Sequence, residues 1–472
     1  MTKLGFPTTR FRAAGTRLRG WFYAGSGGFV DGLIESIEAI PRLTRFGRVA
    51  RLEGLLIEVT GASGAIGLGG RLKLAGADGR ETPCEVVGFR DGRALAMPFG
   101  QLEGIALGSR ATFEERVGAI YPSDAWLGRV IDAFGHPIDS KGPLASGMEP
   151  YALRASPPPA HQRARIGGKL DLGVRALNVF ATCCKGQRMG IFSGSGVGKS
   201  ILLAMLARNT AADVIVIGLV GERGRELKEF IEDDLGEAGL ARSVVVAATS
   251  DEAPLARRQA AFVAMATAEY FRDQGKHVLL LMDSVTRFAM AQREIGLSCG
   301  EPPASKGYTP TVFAELPRLL ERAGPGREGT TGSITGLFTV LVEGDDHNEP
   351  ISDAVRGILD GHIVLERAIA ERGRYPAVSV LKSLSRAMPN CNSNAEQAVV
   401  AKARGVLSAY EDMAELIRLG AYKAGTNAEV DRAIALYPQL EAFLAQKKDE
   451  PATLGAGYAA LSRIVEAQAG KK

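Results

Sequence analysis

Residues 191–200 read IFSGSGVGKS, a near match to the phosphate-binding pattern G-x-x-x-x-G-K-[ST], with Ser193 where the pattern has glycine. The chemistry of such a stretch is anion capture. Gly194, Ser195, Gly196, Val197 and Gly198 make a loop whose backbone N–H groups can turn toward phosphate oxygens, because glycine tolerates the dihedrals this needs. Lys199 adds a charge for the β- and γ-phosphates, and the Ser200 hydroxyl can ligate Mg²⁺. An apolar strand (Met189 to Phe192) leads in and the helical ILLAMLARN leads out. That succession of strand, loop and helix is what makes the match specific. Ser193 is expected to bend the entry without filling the cradle.

A cradle holds nucleotide but does not activate water. The apolar VIVIGLV is followed by GERGREL, which puts Glu222 at the C-terminal end of a strand, in the crevice where α/β sheets do chemistry. Glu222 could polarise the attacking water with Arg223 near the γ-phosphate; a capping or salt-bridged glutamate is equally open. HVLLLMDSVTRF carries the chain through the sheet to Asp283, which would hold the Mg²⁺ shell, with Arg287 one helical turn on. Further along, Tyr375 and Arg386 sit in RYPAVSVLKSLSRAMP. An arginine in so uncharged a segment wants an anion, either a γ-phosphate or a local carboxylate, and pattern alone does not choose.

The elements that must position these residues fall into four segments. Residues 1–43 form an extension: a basic stretch with Lys3, Arg10, Arg12, Arg17 and Arg19 and no acid, then a helical stripe in FVDGLIESIEAI. The stretch lacks the apolar core of a secretory signal and reads as an interaction arm or solvated tail rather than a leader. The stripe suits a helix packed on its own domain or one that docks a partner. Residues 44–117 hold short β-like runs punctuated by glycine, predicting a small β-barrel. Its few aromatics, Phe89, Phe99 and Phe113, argue for a structural barrel over a nucleic-acid platform. Residues 118–392 alternate apolar strands and helices, an α/β nucleotide-binding domain. Residues 393–472 form a helical tail.

Bulk properties exclude several classes. With 472 residues, 46% of them hydrophobic, the chain can bury several cores. A net charge of +4 is too mild to argue for nucleic acid. Five cysteines without C-x-x-C spacing suggest neither a disulfide framework nor a zinc site and fit a reducing cytosol. No apolar run approaches the ~20 residues of a membrane helix.

Together, LGRVIDAFGHPIDSKGPL, FSGSGVGKS, GLVGERGREL, the block AEYFRDQGKHVLLLMDSVTRF with its continuation to LPRLLERAG, and GDDHNEPISDAVRGILDGHIVLERAIAERGRYPAVSVLKSLSR resemble the type III protein-export ATPases, relatives of the catalytic headpiece of rotary ATP synthases. The resemblance covers about residues 44–445, and IRLGAYKAGTNAEVDRAI is more similar to the flagellar branch than to the injectisome branch. It implies a RecA-like P-loop core with an N-terminal β-barrel and a C-terminal helical domain, using ATP and Mg²⁺. By position it implies Lys199 and Ser200 at phosphate and Mg²⁺, Glu222 as the water-activating glutamate beside Arg223, and Asp283 as the strand-end aspartate. It also implies Tyr375 stacked on adenine, and Arg386 as an arginine finger. A small residue other than glycine at position 193 is usual in this family.

One chain carrying both Glu222 and Arg386 needs no second kind of subunit. A ring of identical subunits, six by resemblance, would set Arg386 of one against the nucleotide of the next. The resemblance further implies a stator-like regulatory dimer at the N-terminal arm and a stalk protein at the ring's C-terminal face. The export gate, chaperones and flagellar substrates would be the other partners, at the cytoplasmic base of the flagellar export apparatus and peripheral to the membrane. The competing functions are an injectisome ATPase of identical chemistry, a hexameric RNA helicase of the transcription-termination type, and a non-hydrolysing rotary subunit, which would not need Glu222. No nucleic-acid partner is expected.

Overall fold

The computed structural model describes residues 45–62, 64–114, 118–342 and 349–466. The expected arm of residues 1–43, its helical stripe, and the GDDHN of the long downstream motif therefore lie outside the described residues.

Six antiparallel strands, β1 (Phe46–Glu53), β2 (Leu56–Thr60), β3 (Arg71–Ala75), β4 (Glu81–Arg90), β5 (Arg93–Pro98) and β6 (Arg110–Phe113), close into a barrel in the order β1-β2-β5-β4-β3-β6. Alternation builds it: Leu72 and Leu74 point inward with Ile57, Val59, Val86 and Ala96, while Arg71 and Lys73 point out. Phe99 and Phe113 are buried and Phe89 is exposed, so no row of stacked aromatics faces solvent among the described residues.

The core sheet runs β14-β13-β8-β12-β11-β9-β10-β7, with β7 (Arg129–Ile131), β8 (Arg188–Ser193), β9 (Val214–Glu222), β10 (Ser243–Thr249), β11 (His277–Asp283), β12 (Ser333–Leu341), β13 (Gly361–Leu365) and β14 (Val378–Ser385). All neighbours on this path are parallel except β13 and β14. The strands read as unbroken apolar runs because both faces are covered. On β9, Val214, Val216 and Val220 pack into one core while Ile215, Ile217 and Leu219 pack into the other; β11 divides Leu280 and Met282 from Leu279 and Leu281 in the same way. Each such side chain contributes roughly 1.5–3 kcal/mol by leaving water.

Helices α1 (Lys199–Asn209), α2 (Gly224–Glu229), α3 (Pro254–Asp273), α4 (Val285–Ser298) and α5 (Pro310–Leu320) clothe the sheet. The tail folds as α6 (Asn394–Arg418), α7 (Ala428–Leu444) and α8 (Leu454–Glu466). A capping box of Ser393 and Glu396 starts α6, and the Asn427 side chain caps α7. Ala403, Leu436, Leu440 and Leu461 join the same apolar cluster as Leu203 and Ile217, so the helical tail covers one side of the nucleotide core. No helix among the described residues is long and apolar enough to cross a membrane.

Candidate active site

Strand β8 delivers the loop. Ser193 is its last ladder residue, in register with Leu341 on β12 and Leu365 on β13, and it is buried. Its φ is not positive, so nothing at this position requires glycine, and a small residue suffices. The left-handed dihedrals fall later, at Gly196 (φ 76°) and Gly198 (φ 86°), where a side chain would be strained. A Cβ on Gly198 would also stand 3.2 Å from the Tyr375 ring. Val197 is buried in the core and pins the loop, and α1 begins at Lys199. Ser195 and Ser200 are exposed at the mouth.

The sheet brings three charged groups together. Lys199 Nζ donates to Asp283 Oδ1 and lies 3.5 Å from Glu222 Oε1. Strands β9 and β11 are neighbours, with Leu219 opposite Asp283, so Glu222 projects beyond Asp283 into the crevice. Asp283 is fixed by Thr339 on β12, whose Oγ1 donates to Oδ1 at 2.7 Å. Burial opposes the Lys199 charge, but Asp283 and then Glu222 outweigh it and raise its pKa. Burial raises the Glu222 pKa; Lys199 pulls the other way, and the Asp283 charge adds to the rise. Two carboxylates meet beside the loop as a pocket of oxygen ligands, which suits a hard cation held with phosphate.

Arg287 packs behind this cluster: a Cβ on Gly221 would meet its Cβ at 3.0 Å. Its charge acts on Glu222. Arg223 is not in the cluster. It is exposed at the start of α2 and pairs with Glu226 at 3.5 Å. Tyr375 is half-exposed beside Gly198, and its carbonyl accepts from Gln446 N at 2.9 Å. Arg386 is exposed, follows the end of β14, and pairs with no carboxylate among the described residues.

Two contacts were not singled out from sequence. Thr339 hides inside the apolar run FTVLVEG, where a lone polar residue in an otherwise apolar strand was the available signal. Arg367 donates from Nη2 to the Ser195 carbonyl at 3.0 Å and steadies the loop from outside; nothing in its spacing marked it.

Residues 173–385 match the model of the ATP synthase alpha/beta family, nucleotide-binding domain. Residues 392–463 match the T3SS EscN ATPase C-terminal domain. A flagellum-specific ATP synthase of Caulobacter vibrioides is 59% identical, the match covering 92% of this chain and 99% of that protein. The chain belongs to the ATP synthase alpha/beta family, in its type III export branch. Within that branch the flagellum-specific ATP synthase of Bacillus subtilis is 51% identical, over 92% and 98% of the two chains. The assembled ATPase EscN from the enteropathogenic E. coli type III secretion system superposes with a TM-score of 0.81 at 38% identity. That superposition covers 89% of this chain and 100% of EscN. EscN in complex with its central stalk EscO matches equally well. The protein is an ATPase of this family.

Proposed function

We propose that this ATPase works as a ring of six identical subunits that energises flagellar type III protein export. The observation that carries the reading is the meeting of Lys199, Glu222 and Asp283 at the C-terminal ends of β8, β9 and β11. In this reading the loop N–H groups and Lys199 hold the β- and γ-phosphates, and Tyr375 stacks on the base. Ser200 and Asp283 are the residues that would hold Mg²⁺, which when bound neutralises charge building on the phosphates. Phosphate arriving at Lys199 competes with the two carboxylates and frees Glu222 to accept a proton from the attacking water. Arg287 behind Gly221 keeps that carboxylate oriented, and Arg223 stands exposed at the rim beside it. Arg386 serves the neighbouring subunit's nucleotide.

The identity to flagellum-specific relatives exceeds that to EscN, which favours the flagellar assignment over the injectisome. The assembled state of EscN and its stalk complex support a ring here with a stalk protein at its C-terminal face. In the same reading residues 1–43 dock a stator-like regulatory dimer, 44–117 form the ring's barrel collar, 118–392 hydrolyse ATP and 393–472 face the stalk. Export chaperones, flagellar cargo and the export gate complete the partners, at the cytoplasmic face of the membrane. The test is the ATPase rate per subunit against protein concentration, with and without RNA. A rate that rises with concentration and ignores RNA supports the ring; a flat or RNA-stimulated rate contradicts it. Deletion should abolish swimming, and intact swimming with lost effector secretion would refute the flagellar assignment.

A further inference from the structure

A second buried concentration of charge lies where the barrel meets the nucleotide core, sharing no residue with the Lys199 cluster. An inner chamber of about 30 Å³ is lined by Arg71 of β3, Glu85 of β4, Arg154, and Arg258 and Gln259 of α3. It adjoins a cavity of about 530 Å³ that also reaches Glu301, Glu315 and Arg318. The inner chamber sets three arginines against one carboxylate. Glu85 accepts from Arg258 at 2.5 Å and lies 3.3 Å from Arg71. Arg154 is 3.0 Å from Glu315, which Arg318 also engages at 2.8 Å, and the Glu301 carboxylate is taken by Thr311. Four guanidinium groups thus face three carboxylates across the two spaces.

An arginine cannot shed its proton to relieve burial, so a dry guanidinium needs an anion or a full set of acceptors. Arg258 is 5% exposed, and its Nε has no hydrogen-bond partner among the described residues; the same holds for Arg71 Nε. Burial lowers the pKa of both, and the positive charge of Arg258 on Arg71 adds to it. Gly118 lines the chamber beside Arg71 Nε, while Arg71 Nη2 donates to Gln259 Oε1. At Gly118 a Cβ would stand 3.1 Å from Arg71 Nη2 and 3.5 Å from Nε. A chamber of this size has room for a water or two, and one oxygen of a larger anion can enter it while the rest occupies the outer cavity.

We propose that this junction binds a phosphate-class oxyanion, held by Arg71 and Arg258 and reached past Arg154 and Arg318, which ties barrel strands β3 and β4 to helix α3. The chemistry is shared by free phosphate and by the phosphate group of a larger molecule. The test is thermal unfolding of the full chain carrying Lys199→Ala, which weakens phosphate capture at the nucleotide loop. Inorganic phosphate and glycerol phosphate are compared with sodium chloride of matched ionic strength. A saturating oxyanion should raise Tm by a few degrees over chloride; a larger rise with glycerol phosphate than with inorganic phosphate identifies the esterified group as the better fit. Adding Gly118→Ala, which keeps every charge but sets a methyl group against the Arg71 guanidinium and the chamber beside it, should abolish the rise. Adding Arg258→Lys, which keeps the charge facing Glu85 but removes Nε–H, should reduce it at least several-fold. No rise over chloride, or an undiminished rise in the Gly118→Ala chain, would overturn the proposal.

Discussion

Arg386 stands at the opposite end of the sheet from Lys199. Lys199 follows the C-terminal end of β8, where Ser193 pairs with Leu365 of β13. Arg386 follows Ser385, which pairs with Gly361 at the start of β13 and receives a hydrogen bond from Gln187 before β8 begins. Four residues of strand separate the two levels, about 13 Å at 3.3 Å per residue. That offset fits the proposed role of Arg386 in the neighbouring subunit's site rather than its own.

Arg386→Ala should therefore leave nucleotide affinity in dilute subunits near the parent value, while turnover in concentrated, assembled protein falls by roughly 10³ or more, the scale of an arginine finger. Nucleotide binding and ATPase rate measured across one concentration series check this. Equal loss in dilute and assembled protein would point to a role within the subunit.

Glu222→Gln should bind ATP and hydrolyse it some 10²–10⁴-fold more slowly, the range for removing a general base. Because burial raises the Glu222 pKa, the acid limb of kcat/KM should lie above the usual glutamate range: as pH falls through the raised pKa, the carboxylate takes a proton and can no longer accept one from water. Linkage has the matching sign. The folded state holds this proton more firmly than the unfolded chain does, so Glu222's contribution to stability declines as pH rises from the unfolded to the folded pKa. A pH–rate profile with its acid limb in the ordinary carboxylate range would assign the limb to another group.

Thr339→Val preserves shape and removes the hydroxyl that donates to Asp283. A hydrogen bond to a charged group contributes about 1.5–3 kcal/mol, so turnover should drop roughly ten- to hundredfold, with a higher Mg²⁺ concentration needed for half-maximal rate. Mg²⁺ titration of the ATPase separates this from simple loss of packing, which would leave the Mg²⁺ midpoint unchanged.

Asp139 in the motif GRVIDAFGHPID holds Arg129 at 2.7 and 2.9 Å and accepts Val130 N at 3.0 Å, anchoring edge strand β7. The Arg129 hydrogen bonds hold its pKa well below the usual aspartate range. The stability this confers is present above the unfolded pKa and is lost as pH falls toward the folded one. Asp139→Asn should lower Tm by several degrees at neutral pH, with the gap to wild type closing in acid; a gap independent of pH would mean the charge is not what matters.

The barrel, the parallel sheet and the helical tail were legible because their signals are local. Leu72 and Leu74 alternate with charge, β9 is apolar throughout because both its faces are covered, and Ser393 with Glu396 announces α6. The nucleotide loop was legible because glycine, lysine and serine must occur in fixed order. What sequence did not show depends on residues far apart in the chain. Thr339 reaches Asp283 only because β12 lies beside β11. Arg223 neighbours Glu222 in sequence, yet the turn into α2 sends it to the surface. Ser193 looked like a departure from the loop pattern; as the last rung of β8 it needs no glycine.

If each nucleotide site takes Glu222 from one subunit and Arg386 from the next, mixing the two inactive variants should restore complete sites. Glu222→Gln subunits still carry Arg386, and Arg386→Ala subunits still carry Glu222. In mixed rings roughly a quarter of the interfaces would regain both groups, since a head-to-tail contact pairs one face with the other at random. Two inactive preparations should recover ATPase activity on mixing, toward that fraction of the wild-type rate. A mixture no more active than its components would contradict the shared site.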